Sequence, residues 1–292
     1  MAYLYRIIDF PTFINLVENK FEWYANPDTW QDTYEGYWYQ TLNTKEQVYK
    51  AVELLFNTVS INNSKGTLKN FFKLWAIKYF CFGQCWSTLK ESDALWRIYS
   101  YGNTSIQIRT TDTKLLNVVD KFAVGFHADF DKVKYDLEGD NLLELQAVSI
   151  KNSKRSTEPL FHKRPCFKHE HEKRIIIMNR EEANYYITSK TIKIANRIVD
   201  SIKDNKELSR EEFIECVSNE IFDEIDPPKT NPHNKLKGYK LWLNEGVKLS
   251  DYITGVKVNP LAPDHFIDLV ESLCIKHDLK FNGKSDIYAV AK

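Results

Sequence analysis

The stretch Arg174-Ile175-Ile176-Ile177-Met178 decides the fold class. It is too short for a helix and lacks polar alternation, so it has the pattern of a strand buried on both faces. It predicts a central strand in a sheet covered on both sides. The chain enters this strand through Phe161-His162-Lys163-Arg164-Pro165-Cys166-Phe167-Lys168-His169-Glu170-His171-Glu172-Lys173, its densest run of chemically capable side chains. Sites often lie at the ends of such strands, so this junction is where function is sought.

Moving outward, residues 3–8, 21–25, 105–109, 133–135 and 252–258 carry β-prone or alternating patterns. A last element is expected over residues 286–290. Helical spacing of apolar residues marks 45–56 (Val48, Val52, Leu55, Phe56) and 67–78 (Leu68, Phe71, Phe72, Trp75). Asp9 with Pro11 opens a helix over 12–17, Ser92-Asp93 opens one holding Leu95, Trp96 and Tyr99, and Pro263 opens one over 263–274. Ser209-x-x-Glu212 is a capping box ahead of a stripe of Phe213, Val217, Ile221 and Ile225. There is no internal repeat and no linker-like tract. The prediction is α+β: one mixed domain over residues 1–292, with a central, largely antiparallel sheet flanked by helices.

With 292 residues, 43% of them hydrophobic, and 40 Lys+Arg against 40 Asp+Glu, the chain is neither disordered nor built to coat a polyanion by its net charge. No run approaches the ~20 apolar residues of a membrane-spanning helix and the start lacks a signal-peptide pattern, so a cytoplasmic protein with no membrane partner is expected. Five dispersed cysteines without a C-x-x-C pair point to reduced thiols. The charge is unevenly distributed. Residues 151–174 hold eight Lys/Arg against three Asp/Glu, and residues 200–226 hold three against ten.

No glycine-rich nucleotide loop, nucleophile elbow or His-Glu-x-x-His is present. Three readings of the junction remain. His162, Cys166, His169 and His171 form a metal-ligand candidate, with strand alternation putting Glu170 and Glu172 on the face opposite the two later histidines. Glu170, Glu172 and a neighbouring lysine would serve a metal-dependent nuclease. Alternatively, Glu170 or Glu172, flanked by Lys and Arg, orients a ligand hydroxyl or steadies a developing positive charge; the plain structural counterpart is a strand end in which Glu172 pairs with Arg174 or Lys163. The basic segment 151–174 supports a separate expectation, a non-enzymatic module that binds nucleic acid or protein.

Several spaced features occur in a fixed order: Leu4-Tyr5-Arg6; Asn26-Pro27 with Trp30-x-Asp32-x-x-Glu35; Cys81-Phe82; Leu95-Trp96-x-x-Tyr99-x-x-Gly102; Ile106-x-Ile108; Val133-x-Tyr135; Lys163-x-x-x-Phe167-x-x-Glu170-x-Glu172-x-Arg174; and Ile253 to Pro260 with Ala262. Their order over nearly the whole chain resembles the bacterial domain-of-unknown-function family twenty-nine seventy-one. The layout is also similar to that of ADP-ribosyltransferase-like proteins, with an aromatic-basic first strand and a late strand glutamate. That likeness implies an NAD-using transferase or NAD glycohydrolase, a toxin or anti-phage defence effector, with RNA, DNA or protein as acceptor. It implies Glu172, Glu170 and Tyr99 as catalytic residues, and Tyr5, Arg6, Asp32, Glu35, Trp96, Lys163 and Arg174 as the NAD-binding set, with no metal. The sequence departs from the pattern at Phe82-Gly83-Gln84, which offers no Ser-Thr-Ser-like triplet, only Ser87 beyond it.

Overall fold

A computed structural model describes residues 2–32, 34–35, 42, 44–56, 64–100, 102–138, 155–203, 209–224, 237–243 and 246–289. Its strands are β1 (Tyr3–Ile8), β2 (Phe21–Ala25), β3 (Cys81–Ser87), β4 (Ile106–Thr111), β5 (Phe126–Lys132), β6 (Glu172–Asn179), β7 (Gly238–Trp242), β8 (Gly255–Val258) and β9 (Phe281–Lys284). They form one nine-stranded sheet in the order β5-β6-β3-β1-β4-β8-β9, with β2 joined to β3 and β7 joined to β2. Every pairing is antiparallel except β8 with β9. The α+β class and the largely antiparallel sheet are therefore as the patterning predicts.

The helices are α1 (Phe10–Val17), α2 (Lys45–Phe56), α3 (Ser64–Phe80), α4 (Asp93–Tyr99), α5 (Asp112–Phe122), α6 (Arg180–Lys203), α7 (Arg210–Glu224) and α8 (Asp264–Lys276). Their starts follow local chemistry. Asp9 accepts from the Thr12 amide, Ser92 from Leu95 and Thr111 from Lys114, satisfying amides that the first turn leaves open. The capping box of α7 closes in both directions, with the Ser209 amide on Glu212 at 2.7 Å and the Glu212 amide on Ser209 at 3.2 Å. Its stripe of Phe213, Val217 and Ile221 is buried; Ile225 lies outside the described residues.

Two hydrophobic clusters lie on opposite faces of the sheet. Ile175 and Ile177 of β6 point into one with Leu4, Ile106, Phe266 and Val270, and Ile176 points into the other with Phe72, Trp75 and Ile194. The isoleucine run is thus buried on both faces, as its apolar pattern requires. It is not the central strand: β6 lies second from one edge, between β5 and β3. Double-sided burial comes from helices on both faces and does not require the middle of the sheet. Two further expectations are corrected. The strand near residues 133–135 lies earlier, at β5, and Lys134 forms only an isolated bridge to His162. The last strand is β9, and Asp286 instead closes a turn onto the Ala289 amide.

One irregularity of the sheet positions the site. Ser87, at the end of β3, pairs with Tyr5 of β1, whereas Gly83, four residues earlier, pairs with Ala25 of β2. Strand β3 therefore changes neighbour along its length, and β1 and β2 diverge from it like the arms of a fork. Its other edge runs continuously along β6, from Cys81 on Met178 to Ser87 on Glu172.

Candidate functional site

The fork opens a cavity of about 260 Å³, lined by both arms and by the strand between them. Tyr5, Arg6 and Ile7 come from β1, Trp23 and Ala25 from β2, and Gly83, Gln84, Cys85, Trp86 and Ser87 from β3. Trp30, Leu95, Tyr99 and Gln107 complete the wall, and Glu170 and Glu172 stand at one side. Because neighbouring residues of β3 point to opposite faces, only a gap in the sheet lets Gln84 and Cys85 line the same space. Gly83 makes room for the aromatic wall. A Cβ there would lie 2.8 Å from Trp30 Cζ2 and 2.7 Å from Ile176 Cδ1, closer than packed atoms approach.

Behind Glu170 and Glu172 lies a buried ion cluster. Glu172 Oε1 accepts from Arg174 Nε at 2.7 Å, and its Oε2 accepts from Arg174 Nη2 at 3.1 Å and from Lys163 Nζ at 3.3 Å. Lys163 also reaches Glu170 Oε2 at 2.6 Å and Glu35 Oε1 at 3.1 Å. Arg174, with none of its side chain exposed, bonds Glu35 at 2.8 Å and the Leu160 carbonyl at 2.6 Å. The Trp30 ring lies 4.5 Å from its guanidinium carbon. Among the described residues, three carboxylates thus share two cations.

The two cavity carboxylates differ in their surroundings. Burial raises the pKa of Glu170; Lys163 counters this, but the nearby Glu172 charge adds to it, and the net shift is upward. Burial acts the same way on Glu172, yet the charges and hydrogen bonds of Arg174 and Lys163 outweigh it and hold that carboxyl down at about 2. Tyr99 donates to Glu170 Oε1 at 3.2 Å. The Tyr99 hydroxyl keeps its proton, since burial and the Glu170 charge both oppose its loss. Cys85 is held as a thiol by burial and by Glu172, which removes it as a nucleophile, for which a thiolate is needed.

Across the cavity, Arg6 Nη1 bonds Glu22 Oε2 at 3.0 Å. Gln84 Nε2 bonds the same oxygen at 2.8 Å, and the Tyr252 hydroxyl bonds Oε1 at 3.1 Å. Among the described residues Arg6 pairs with a carboxylate only through Nη1, and its guanidinium carbon lies 5.9 Å from the centre of the Trp86 ring.

The structure thus brings Tyr5, Arg6, Tyr99, Glu170 and Glu172 to one cavity and places Glu35, Lys163 and Arg174 directly behind it. Asp32 stands further out, paired with Arg164 at 2.8 Å. Trp96 is elsewhere: it is buried and its Nε1 donates to Glu91 at 3.2 Å, so it is not a stacking partner for a ligand here. Strand alternation does not reach the histidines, because residues 165–170 form a 3-10 turn and His171 adopts a left-handed φ of 46°. His169 bonds the Cys166 carbonyl, while His162 pairs with Asp136 and Glu158, so these side chains do not converge. Among the described residues no group of three or more His, Cys, Asp or Glu is arranged for a metal ion. The carboxylates of the nuclease reading already hold Lys163 and Arg174 where a cation would sit.

Trp23, Gln84, Cys85, Trp86 and Gln107 were missed in the sequence, and Trp30 was noted without a role. One signal was present: Gln84 is a lone amide in an otherwise apolar strand, a position that demands buried hydrogen-bond partners.

No protein-family model, curated protein or solved structure matches this chain. No helix among the described residues is long and apolar enough to cross a membrane.

Proposed function

We propose that the cavity takes the cationic ring of a nucleotide of the NAD class and that the chain cleaves its N-glycosidic bond, passing ADP-ribose to water or to an acceptor. The observation carrying this reading is an aromatic-walled cavity of about 260 Å³ with the carboxylates of Glu170 and Glu172 on one side. Sites for drug-sized ligands run from about 300 Å³ upward, so this one suits a single ring system and leaves the rest of a dinucleotide outside. Trp and Tyr faces attract cations, and the ionised Glu172 carboxylate at the cavity wall adds to that attraction. A pyridinium ring meets both requirements.

The chemistry follows the charge. When the bond between ribose C1′ and the ring nitrogen breaks, the electron pair leaves with the ring, which becomes neutral, and the positive charge moves onto the ribose. Glu172, ionised and fixed by Arg174, faces that charge in a preorganised way. Water or an acceptor hydroxyl then bonds to C1′, and its proton passes to Glu170. A carboxylate with a raised pKa is a better base than an ordinary one.

The polyanion-binding alternative has less support. Lys163, Arg164 and Arg155, three of its cations, are engaged by Glu170, Asp32 and Glu158, and residues 151–154 lie outside the described residues. The deciding experiment incubates the protein with NAD, following nicotinamide release by chromatography and melting temperature by fluorescence. Release, or thermal protection by NAD, is expected; neither effect at millimolar NAD would overturn the reading.

A further inference from the structure

Beside the aromatic cavity lies a second, smaller one of about 160 Å³, lined by Tyr5, Lys90, Gln107, Arg109, Gly255, Lys257 and Asn282. Tyr5 and Gln107 line both cavities, so the two spaces are separated by little more than these side chains. Their adjacency follows from the register of the sheet. Tyr5 pairs with Arg109 across β1 and β4, Arg109 with Gly255 and Gln107 with Lys257 across β4 and β8, which puts all of them on one face in two adjacent rungs.

Apart from the tyrosine, every ionisable group in this lining is a cation. The Arg109 guanidinium bonds only neutral oxygens, Thr254 Oγ1 at 3.0 Å and the Thr254 carbonyl at 2.9 Å, and among the described residues it pairs with no carboxylate. Lys90 is exposed and its ammonium makes no hydrogen bond or ion pair among the described residues. Lys257 is paired with Glu91 and Asp286. The Asn282 amide adds a polar side chain to the wall. Gly255 is required here, because a Cβ would collide with Asn282 Nδ2 and lie 3.2 Å from Arg109 Nη2. The absent side chain leaves the guanidinium in place and the floor open.

We infer that this basic cavity binds a phosphoryl group, and that it holds the pyrophosphate of a nucleotide whose ring occupies the aromatic cavity. The first half stands on the cations alone; the second rests on the ring reading proposed above. Arg is suited to phosphate oxygens because its planar fork presents paired donors, and Lys adds a compact charge. Gln107, whose Nε2 holds the Lys90 carbonyl at 3.0 Å, fixes the backbone of the lysine at the border between the two spaces.

The test titrates the protein calorimetrically with inorganic pyrophosphate and, separately, with NAD. Lys90→Gln is the main variant, because this exposed side chain holds nothing else in place, with Lys90→Glu as a stronger form and Lys121→Gln as a distant control. Parent protein is expected to bind pyrophosphate, Lys90→Gln about tenfold more weakly, Lys90→Glu more weakly still, and Lys121→Gln like the parent. Affinity should also fall as salt rises. No pyrophosphate binding by the parent, or equal binding by parent and Lys90→Gln, overturns the inference even if NAD is cleaved. Pyrophosphate binding weakened by Lys90→Gln, with no binding or cleavage of NAD, leaves the phosphoryl site standing and removes the ring reading instead.

Discussion

The Lys163 ammonium lies 2.6 Å from the Glu170 carboxylate, and both side chains are almost wholly buried. The same ammonium reaches Glu35 and Glu172, so one cation holds three acidic groups from two distant parts of the chain. Pairs of this kind are costly to break because the survivor stays buried and uncompensated.

Lys163→Met should therefore destabilise the protein by about 3 to 5 kcal/mol at pH 7. The deficit should shrink at acid pH. Without the ammonium, Glu170 loses the charge that counters the rise of its folded-state pKa by burial, so its protonation at acid pH relieves the strain and the relief is lost as pH rises. Urea unfolding at pH 7 and pH 4.5 measures both effects; an unchanged midpoint at pH 7 would refute the energetic role of the cluster.

Acid stability should carry the signature of Glu172. Its carboxyl is held at about 2 against an ordinary 4.5, so its contribution is complete above 4.5 and is lost as pH falls toward 2. Glu158, lowered to about 2 by Lys134 and Arg155 against the opposing effect of burial, acts in the same direction. Glu170 is raised and acts oppositely: it favours the fold when protonated, and that contribution fades as pH rises through its folded value. Glu172→Gln should flatten the fall in stability between pH 4.5 and 2 while lowering the melting temperature at pH 7. Circular dichroism melts across that range provide the check.

Glu170→Gln should reduce NAD turnover about a hundredfold or more if the carboxylate serves as base. Tyr99→Phe is the subtler variant. Its hydroxyl hydrogen bond favours ionised Glu170, so removing it should move the acid limb of the kcat/KM profile to higher pH with a smaller loss at the plateau. A profile superimposable on the parent's would show that Glu170 does not titrate in the reaction.

Gly83→Ala places a methyl group 2.8 Å from the Trp30 ring and 2.7 Å from Ile176. The ring has to shift, at a cost of about 1 to 3 kcal/mol. NAD binding should weaken, with a change in tryptophan emission at temperatures where the variant is fully folded. Unaltered binding would show that Trp30 is not part of the ligand wall.

Ile177→Ala tests the fold apart from the site. Ile177 is fully buried in the cluster on the sheet face opposite Ile176, and the loss should be about 2 to 5 kcal/mol from transfer plus cavity. NAD affinity should stay at the parent value well below the lowered melting temperature.

The sheet and most helices were legible because periodicity records which faces are buried, and at Asp9, Ser92 and Ser209 the caps are written in adjacent residues. The rank of β6 within the sheet was not legible, since an apolar run registers cover on two faces and not the number of strands on either side. The site was partly legible. Glu170, Glu172, Lys163 and Arg174 cluster in sequence and stay clustered in space, whereas Glu35 joins them through a contact 139 residues from Arg174. The fork could not be read at all: Gly83 and Ser87 look like ordinary strand residues, and the change of partner between them depends on strands far away in the chain. The role that the family likeness implies for Trp96 does not carry over, because its indole is buried and bonds Glu91.

The hydrogen bond from Tyr252 to Glu22 joins residues 230 positions apart, and it says when the protein can be finished during synthesis. Glu22 is buried and also holds Arg6 and Gln84, so one whole side of the cavity stays incompletely satisfied until the segment around residue 252 has left the ribosome. The basic cavity needs Gly255, Lys257 and Asn282, which emerge later still. Closing such long loops is slow, so the nascent chain should acquire its earlier helices first and complete the two cavities only after residue 282 has emerged.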